Sequence, residues 1–293
     1  MEVAVLGAES RGRTFAEVCV LAGHTVHLYD DDANAVMDGI NAIEAGLDGA
    51  ETAGELDATT GIEAAVSGAG VIVESGTDEA PALQESFAEI ESHADRGALL
   101  VTTARTVSVT AAAAGLRQPD RAVGFRFRDL RDVALVEIVV ADQTTTGTCD
   151  RAVSFVAGLD RSPVIVGDAP GAVATRLALS IEAEAMRLVD QGVAGVDAAD
   201  ETIRLGYDHP VGPLEQADRA GLADRLATLD RLADVFGDRF EPPAVLRDRV
   251  LEGATGRTAG EGFYRWEDGR PVEPALPEPD LPRRETAYDE DPR

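Results

Sequence analysis

Near its start the chain carries a few residues spaced to hold a dinucleotide. The apolar run Val3 to Leu6 ends in Gly7-Ala8-Glu9-Ser10-Arg11-Gly12, and a helical pattern follows from Arg13 to Leu21. A second run, Val26 to Tyr29, ends in Asp30. Glycine at the first position permits the tight turn, and glycine at the last lets the helix lie close to the strand. The helix N-terminus then offers N–H groups and partial positive charge to a pyrophosphate. The carboxylate of Asp30 is placed to accept from a ribose hydroxyl and would repel a 2′-phosphate, which favours NAD over NADP. Strand, turn, helix and acid in this order are the Rossmann arrangement.

The middle position of the turn departs from it. A glycine there lets backbone approach the phosphates, and this chain has Glu9. The side chain adds bulk and sets a negative charge beside a dianion. At an effective dielectric of ~20, unit charges ~4 Å apart interact by about 4 kcal/mol. Cofactor binding therefore requires that Glu9 turn outward or that Arg11 offset its charge.

Such a turn needs a parallel sheet behind it. The first 167 residues alternate short β-branched runs with helical patterns, as doubly wound α/β domains do. Besides the two runs above, Val71 to Val73, Leu99 to Thr102, Val123 to Phe125, Leu135 to Val140 and Val164 to Val166 read as strands. The texture changes at Asp168-Ala169-Pro170-Gly171. Helical patterns then run over Val173 to Val189, Val196 to Leu205, Leu214 to Phe236 and Ala244 to Leu251. The expected fold is a Rossmann-type doubly wound sheet over 1–167 and an all-α C-terminal domain over 168–268. The tail 269–293 is rich in proline and acid, as in Pro277-Glu278-Pro279-Asp280, and is expected to be disordered.

Charge limits the partners. Against 54 Asp and Glu stand 26 basic residues, every one an arginine, for a formal net charge of −28. Such a surface repels nucleic acid and anionic membranes. The acids are spread along the chain, a pattern expected of adaptation to a high-salt interior, where screening relieves the self-repulsion. No run approaches the ~18 apolar residues of a membrane helix. A strand begins almost at Met1, which leaves no room for a signal peptide, so a cytoplasmic location is expected. Cys19 and Cys149 have no metal-ligand spacing and imply no disulfide framework; two buried thiols are expected.

The opening Gly7 to Asp30, with Leu21-Ala22-Gly23-His24 inside it, resembles that of the 3-hydroxyacyl-CoA dehydrogenases. Asp168-Ala169-Pro170-Gly171 is similar to the D-T-P-G that leads into that family's helical domain. His209-Pro210-Val211-Gly212-Pro213-Leu214-Glu215-Gln216-Ala217-Asp218 is similar to its H-P-M-G-P-L-E-L-A-D. Gly256-Arg257-Thr258 and Gly262-Phe263-Tyr264 match its G-R-K-T-G-x-G-F-Y ending. These ordered motifs cover residues 1 to about 265. The resemblance implies an NAD-dependent oxidoreductase acting on a 3-hydroxy acyl substrate, with the helical domain serving a homodimer.

It also implies where the chemistry lies. In that family a histidine takes the hydroxyl proton, and a glutamate behind it fixes the tautomer. Here the corresponding segment reads Gly124-Phe125-Arg126-Phe127, so Arg126 stands for the histidine, while Glu137 is kept. A guanidinium is no base near neutrality, and an Arg126–Glu137 ion pair is expected; gripping of a substrate carboxylate or an oxyanion by Arg126 is the functional alternative. The substrate-contacting serine becomes Arg105 or Thr106, according to register. An asparagine before Arg176 becomes Thr175. The segment 31–57 is shorter than in the family and has no basic residue to hold CoA phosphates. Two classes remain: an oxidoreductase for a hydroxy acid or acyl-CoA, and an impaired relative kept for binding or regulation.

Overall fold

The computed structural model describes residues 1–47, 49–50, 54–131 and 133–280. The chain divides into two compact units, Met1–Ala174 and Thr175–Arg293.

The first unit alternates strand and helix: β1 (Glu2–Leu6), α1 (Ser10–Leu21), β2 (Thr25–Tyr29), α2 (Ala33–Leu47), β3 (Glu55–Thr59), α3 (Ile62–Val66), β4 (Val71–Glu74) and α4 (Ala80–His93). Then follow β5 (Leu99–Thr102), α5 (Val109–Ala112), β6 (Ala122–Arg126), β7 (Leu135–Val140), α6 (Thr146–Gly158) and β8 (Ser162–Gly167). The strands form one sheet in the order β3-β2-β1-β4-β5-β6-β7-β8. Side chains alternate across it. From β1, Val3 and Val5 join a core with Phe15, Phe125 and Val156, while Ala4 and Leu6 join another with Phe87, Ile90 and Leu100. Both faces are covered, and so the central strands read as continuous apolar runs.

The expected parallel sheet holds as far as β6. β7 returns antiparallel to β6, and β8 then lies parallel to β7. The link 127–134 is too short for the crossover a parallel neighbour requires. β3, Glu-Leu-Asp-Ala-Thr, has no apolar run to announce it, because as an edge strand it buries little.

The second unit contains α7 (Ala174–Asp190), α8 (Val196–Tyr207), α9 (Pro213–Ala220), α10 (Leu222–Phe236), α11 (Ala244–Leu251) and a hairpin of β9 (Tyr264–Glu267) with β10 (Arg270–Pro274). The single helix expected over Leu214 to Phe236 is two, because Gly221 at φ +92° takes a backbone conformation no helix continues through. The hairpin amends two expectations. The unit is helical but not all-α, and the tail is ordered beyond 269, since β10 pairs with β9 and Leu276 packs on the helical core. Residues 281–293 of that expected tail lie outside the described residues. Among the described residues, no helix is long and apolar enough to cross a membrane.

Candidate functional site

The turn after β1 has the geometry its glycines foretell. Gly7 adopts φ +100°, and a Cβ on it would stand 2.6 Å from the Gly76 nitrogen. A Cβ on Gly12 would stand 1.8 Å from the Gly7 carbonyl oxygen. Neither position admits a side chain. Asp30 Oδ2 accepts from the Ala8 N–H at 2.9 Å, which fixes the acid beside the turn and leaves it lone pairs for a ribose hydroxyl. Glu9 occupies the N-cap of α1 in extended backbone, at φ −84°, and its carboxylate caps nothing. Glu9 is exposed. The first-turn N–H groups of α1 are left without a side-chain cap, as anion binding requires.

The strand order reverses between β1 and β4, and in open α/β sheets ligands bind in the crevice at that point. The lip opposite the turn is the segment after β4. From the turn, Arg11 reaches across to it. Its Nη1 donates to Asp78 Oδ1 at 3.1 Å and to the Thr103 carbonyl at 2.9 Å, and its Nη2 donates to Asp78 Oδ2 at 3.0 Å. Burial pushes the Asp78 carboxyl up, but the Arg11 charge and bonds, with the Arg105 N–H, hold it below the usual range. Arg11 therefore pairs with Asp78, and the expected offset of Glu9 does not arise from a contact between them. Beneath the same lip, Glu74 ends β4. Its Oε1 accepts from the Gly76 N–H, and its Oε2 is buried with no partner among the described residues. Burial drives this carboxyl up to about 7, against the pull of the Gly76 bond and Arg11. Asp78 and Glu74 are site residues that motif reading missed. The available signal was an acid closing the otherwise apolar Val-Ile-Val of β4.

Arg126 ends β6 and is the cross-strand neighbour, in register, of Glu137 within β7. The expected ion pair is absent. The Arg126 guanidinium donates instead to the carbonyls of Thr102 at 2.9 Å, Phe125 at 3.4 Å and Val107 at 3.1 Å. Glu137 Oε1 accepts from the N–H groups of Val173 and Ala174, at 3.0 and 2.8 Å. Strand-end carbonyls and helix-start N–H groups lack regular partners and outcompete the opposite side chain. Burial pulls the Arg126 pKa down to about 10, against the attraction of Asp168, so it stays a cation at neutrality. Asp168, from the motif read as a domain link, caps the Val109 and Thr110 N–H groups. The Gly171 N–H donates to the Arg105 carbonyl. Arg126, Asp168 and Gly171 thus all fix the loop after β5.

On that loop Thr106 is half-buried and makes no hydrogen bond among the described residues, and the Arg105 N–H is committed to Asp78. Thr175 lies in the first turn of α7, where it opens the second unit. Within that unit, the neighbouring Arg176 stacks over the Phe236 ring at 4.4 Å. The histidines of the first unit are elsewhere. His24 immediately precedes β2, His27 lies within it, and His93 ends α4. His209 is exposed. Cys19 is buried and Cys149 partly so; both are free thiols.

The later motifs hold the second unit together. Asp200 accepts from the Leu214 and Glu215 N–H groups and from the Tyr264 hydroxyl. Asp218 accepts from the N–H groups of Phe263 and Tyr264 and from Trp266 Nε1. A Cβ on Gly262 would stand 2.1 Å from Asp218 Oδ1, hence the glycine before Phe263-Tyr264.

The glycine contacts, the uncapped helix start and the tethered acid fit NAD, and with the strand order they define the dinucleotide-binding class of α/β proteins. Residues 2–169 match the model of the 3-hydroxyacyl-CoA dehydrogenase NAD binding domain, and residues 171–266 match that of the C-terminal domain. The chain belongs to the 3-hydroxyacyl-CoA dehydrogenase family. It is 30% identical over 278 residues to a 3-hydroxyadipyl-CoA dehydrogenase of Escherichia coli, covering 90% of this chain but 58% of that protein. It is 28% identical to a probable 3-hydroxybutyryl-CoA dehydrogenase of Deinococcus radiodurans, covering 91% of this chain and 100% of that one. The crystal structure of Mycobacterium tuberculosis FadB2 superposes with a TM-score of 0.85 at 28% identity, covering 90% of this chain and 98% of the other.

Proposed function

We propose that this chain is an NAD-dependent oxidoreductase acting on a 3-hydroxy acyl or related hydroxy acid substrate. Three elements of the dinucleotide turn carry the reading: Gly7 and Gly12 where no Cβ fits, and Asp30 tethered to the turn. When bound, NAD takes a hydride from the carbon that bears the hydroxyl. The chain's part is to hold the dinucleotide at the β1–β4 crevice and to fix the loop after β5 through Arg126 and Asp168. The substrate class comes from the names of the relatives. Residues 31–57 contain no basic side chain, which favours a ligand lighter in phosphate than CoA.

One observation favours the second reading, an impaired relative. The hydroxyl proton needs an acceptor, and the position at the end of β6 holds a cation engaged with backbone carbonyls. Titrating NADH fluorescence in molar salt tests the first reading; absence of binding at millimolar cofactor would refute it. Acetoacetyl-CoA reduction by the natural protein and by Arg126→His then separates the two. Glu137 Oε2 has no partner among the described residues and can orient an imidazole at 126. If only the base is missing, the histidine raises turnover by roughly a hundredfold or more. No rise means that more than the base has gone.

For the assembly, a homodimer through the second unit is our reading. Leu177 and Ile181 on α7 are 60% and 41% exposed, Val193 is 55% exposed, and all three line an apolar groove of about 530 Å³. A second copy covering this face accounts for large apolar side chains on an otherwise acidic chain. Adaptation to high salt is proposed from the net charge.

A further inference from the structure

Arg11 stands on one lip of the crevice and its partners stand on the other. It lies in the first turn of α1, just after β1, whereas Asp78 follows β4 and Thr103 follows β5. The guanidinium thus spans the place where the strand order reverses and a dinucleotide lies. Three of its five N–H groups are used by Asp78 and Thr103. The Nε hydrogen and the second Nη2 hydrogen have no partner among the described residues, and the side chain is 25% exposed. Two uncommitted donors on a rigid planar cation match two oxygens of a phosphate.

The need for such a group arises at Glu9. Where the middle position of the turn is glycine, backbone comes close to the pyrophosphate. Here a Cβ stands in that position, and the acids Glu9, Asp30 and Asp78 stand around the crevice. An entering dianion requires a cation that is already in place.

We propose that Arg11 grips the cofactor's pyrophosphate, replacing with a side-chain cation the close backbone approach that Glu9 forecloses, and that Asp78 is its positioning residue. This rests on the NAD reading above. Asp78 fixes the guanidinium through a two-pronged pair, and the Thr103 carbonyl sets the plane, so little rotamer freedom remains to be lost when the phosphates arrive.

The test is binding, read by NADH fluorescence and by competition with ADP-ribose and with adenosine, at one fixed molar salt concentration. Arg11→Met is expected to weaken NADH and ADP-ribose by about tenfold to a hundredfold, the range of one charge-assisted contact. Adenosine, which lacks the pyrophosphate, is expected to bind as before. Arg11→Lys, which keeps the charge without the fork, falls between, and covers the case in which the methionine variant does not fold. Asp78→Asn is expected to weaken ADP-ribose several-fold even though it removes a negative charge. Equal loss for adenosine and ADP-ribose, or unchanged ADP-ribose binding in both Arg11 variants, would overturn the assignment of Arg11. Tighter binding by Asp78→Asn would show that the carboxylate holds the guanidinium away from the ligand, and would overturn its positioning role. Failure of the natural protein to bind NADH would instead remove the cofactor reading itself.

Discussion

Arg126 ties the end of β5 to the loop that follows it, so replacing it removes structure as well as charge. Arg126→His forfeits bonds to the Thr102 and Val107 carbonyls. A stability loss of about 1–3 kcal/mol is expected, read from the denaturant midpoint, alongside any gain in turnover. Glu74 gives a pH dependence with a definite sign. Its carboxyl titrates at about 7 in the folded chain, against an ordinary 4.5. Between those values the folded chain keeps a proton that the unfolded chain releases, so stability falls as pH rises through the window. The drop is about 3 kcal/mol and levels off above pH 7. In Glu74→Gln this part of the slope should vanish, leaving the decline due to Asp200, which burial raises to about 6, and to Asp218 and Glu17, which burial also raises. Thermal midpoints from pH 4 to 9 for both proteins decide it; identical slopes would mean Glu74 is ionised throughout.

Elements set the next scale. α7 carries Leu177 and Ile181 four residues apart, on one face of the helix. Either Leu177→Glu or Ile181→Glu would bury a carboxylate in a two-fold contact, and the expected result is a monomer by light scattering with an unchanged circular dichroism spectrum. A natural protein that is already monomeric at tens of micromolar would refute the dimer. The loop after β5 shows how elements cooperate. Arg126 on β6, Asp168 after β8 and Gly171 beyond it all hold this loop, though sixty residues or so separate Asp168 from Val109 in sequence. Motif reading sees Asp168-Ala169-Pro170-Gly171 as a link between domains. Its side chain serves the first unit, because an acid after β8 meets the uncapped N–H groups of α5.

At the scale of the molecule, charge governs stability. With 54 acids against 26 arginines, repulsion among exposed carboxylates opposes the compact state. At 1 M salt the Debye length falls to about 3 Å, and distant repulsions are largely screened. The unfolding midpoint is therefore expected to climb steadily from 0.1 to 2 M KCl, most steeply at the low end. A midpoint that is flat or falling over that range would discard the high-salt reading.

Much of this was legible in one dimension. The nucleotide turn, the central strands, the helical second half and the family follow from local patterns, because glycine, β-branched runs and helical periodicity act over a few neighbours. Edge strand β3, the break at Gly221 and the β9–β10 hairpin were not, since each depends on what packs beside it. The candidate site divides in the same way. Gly7, Gly12 and Asp30 were readable because backbone geometry demands those residue types. Whom Arg11 pairs with, and why Arg126 and Glu137 form no ion pair, were decided only in three dimensions. A charged side chain chooses among all donors and acceptors within reach, and folding determines which backbone groups are left waiting for one.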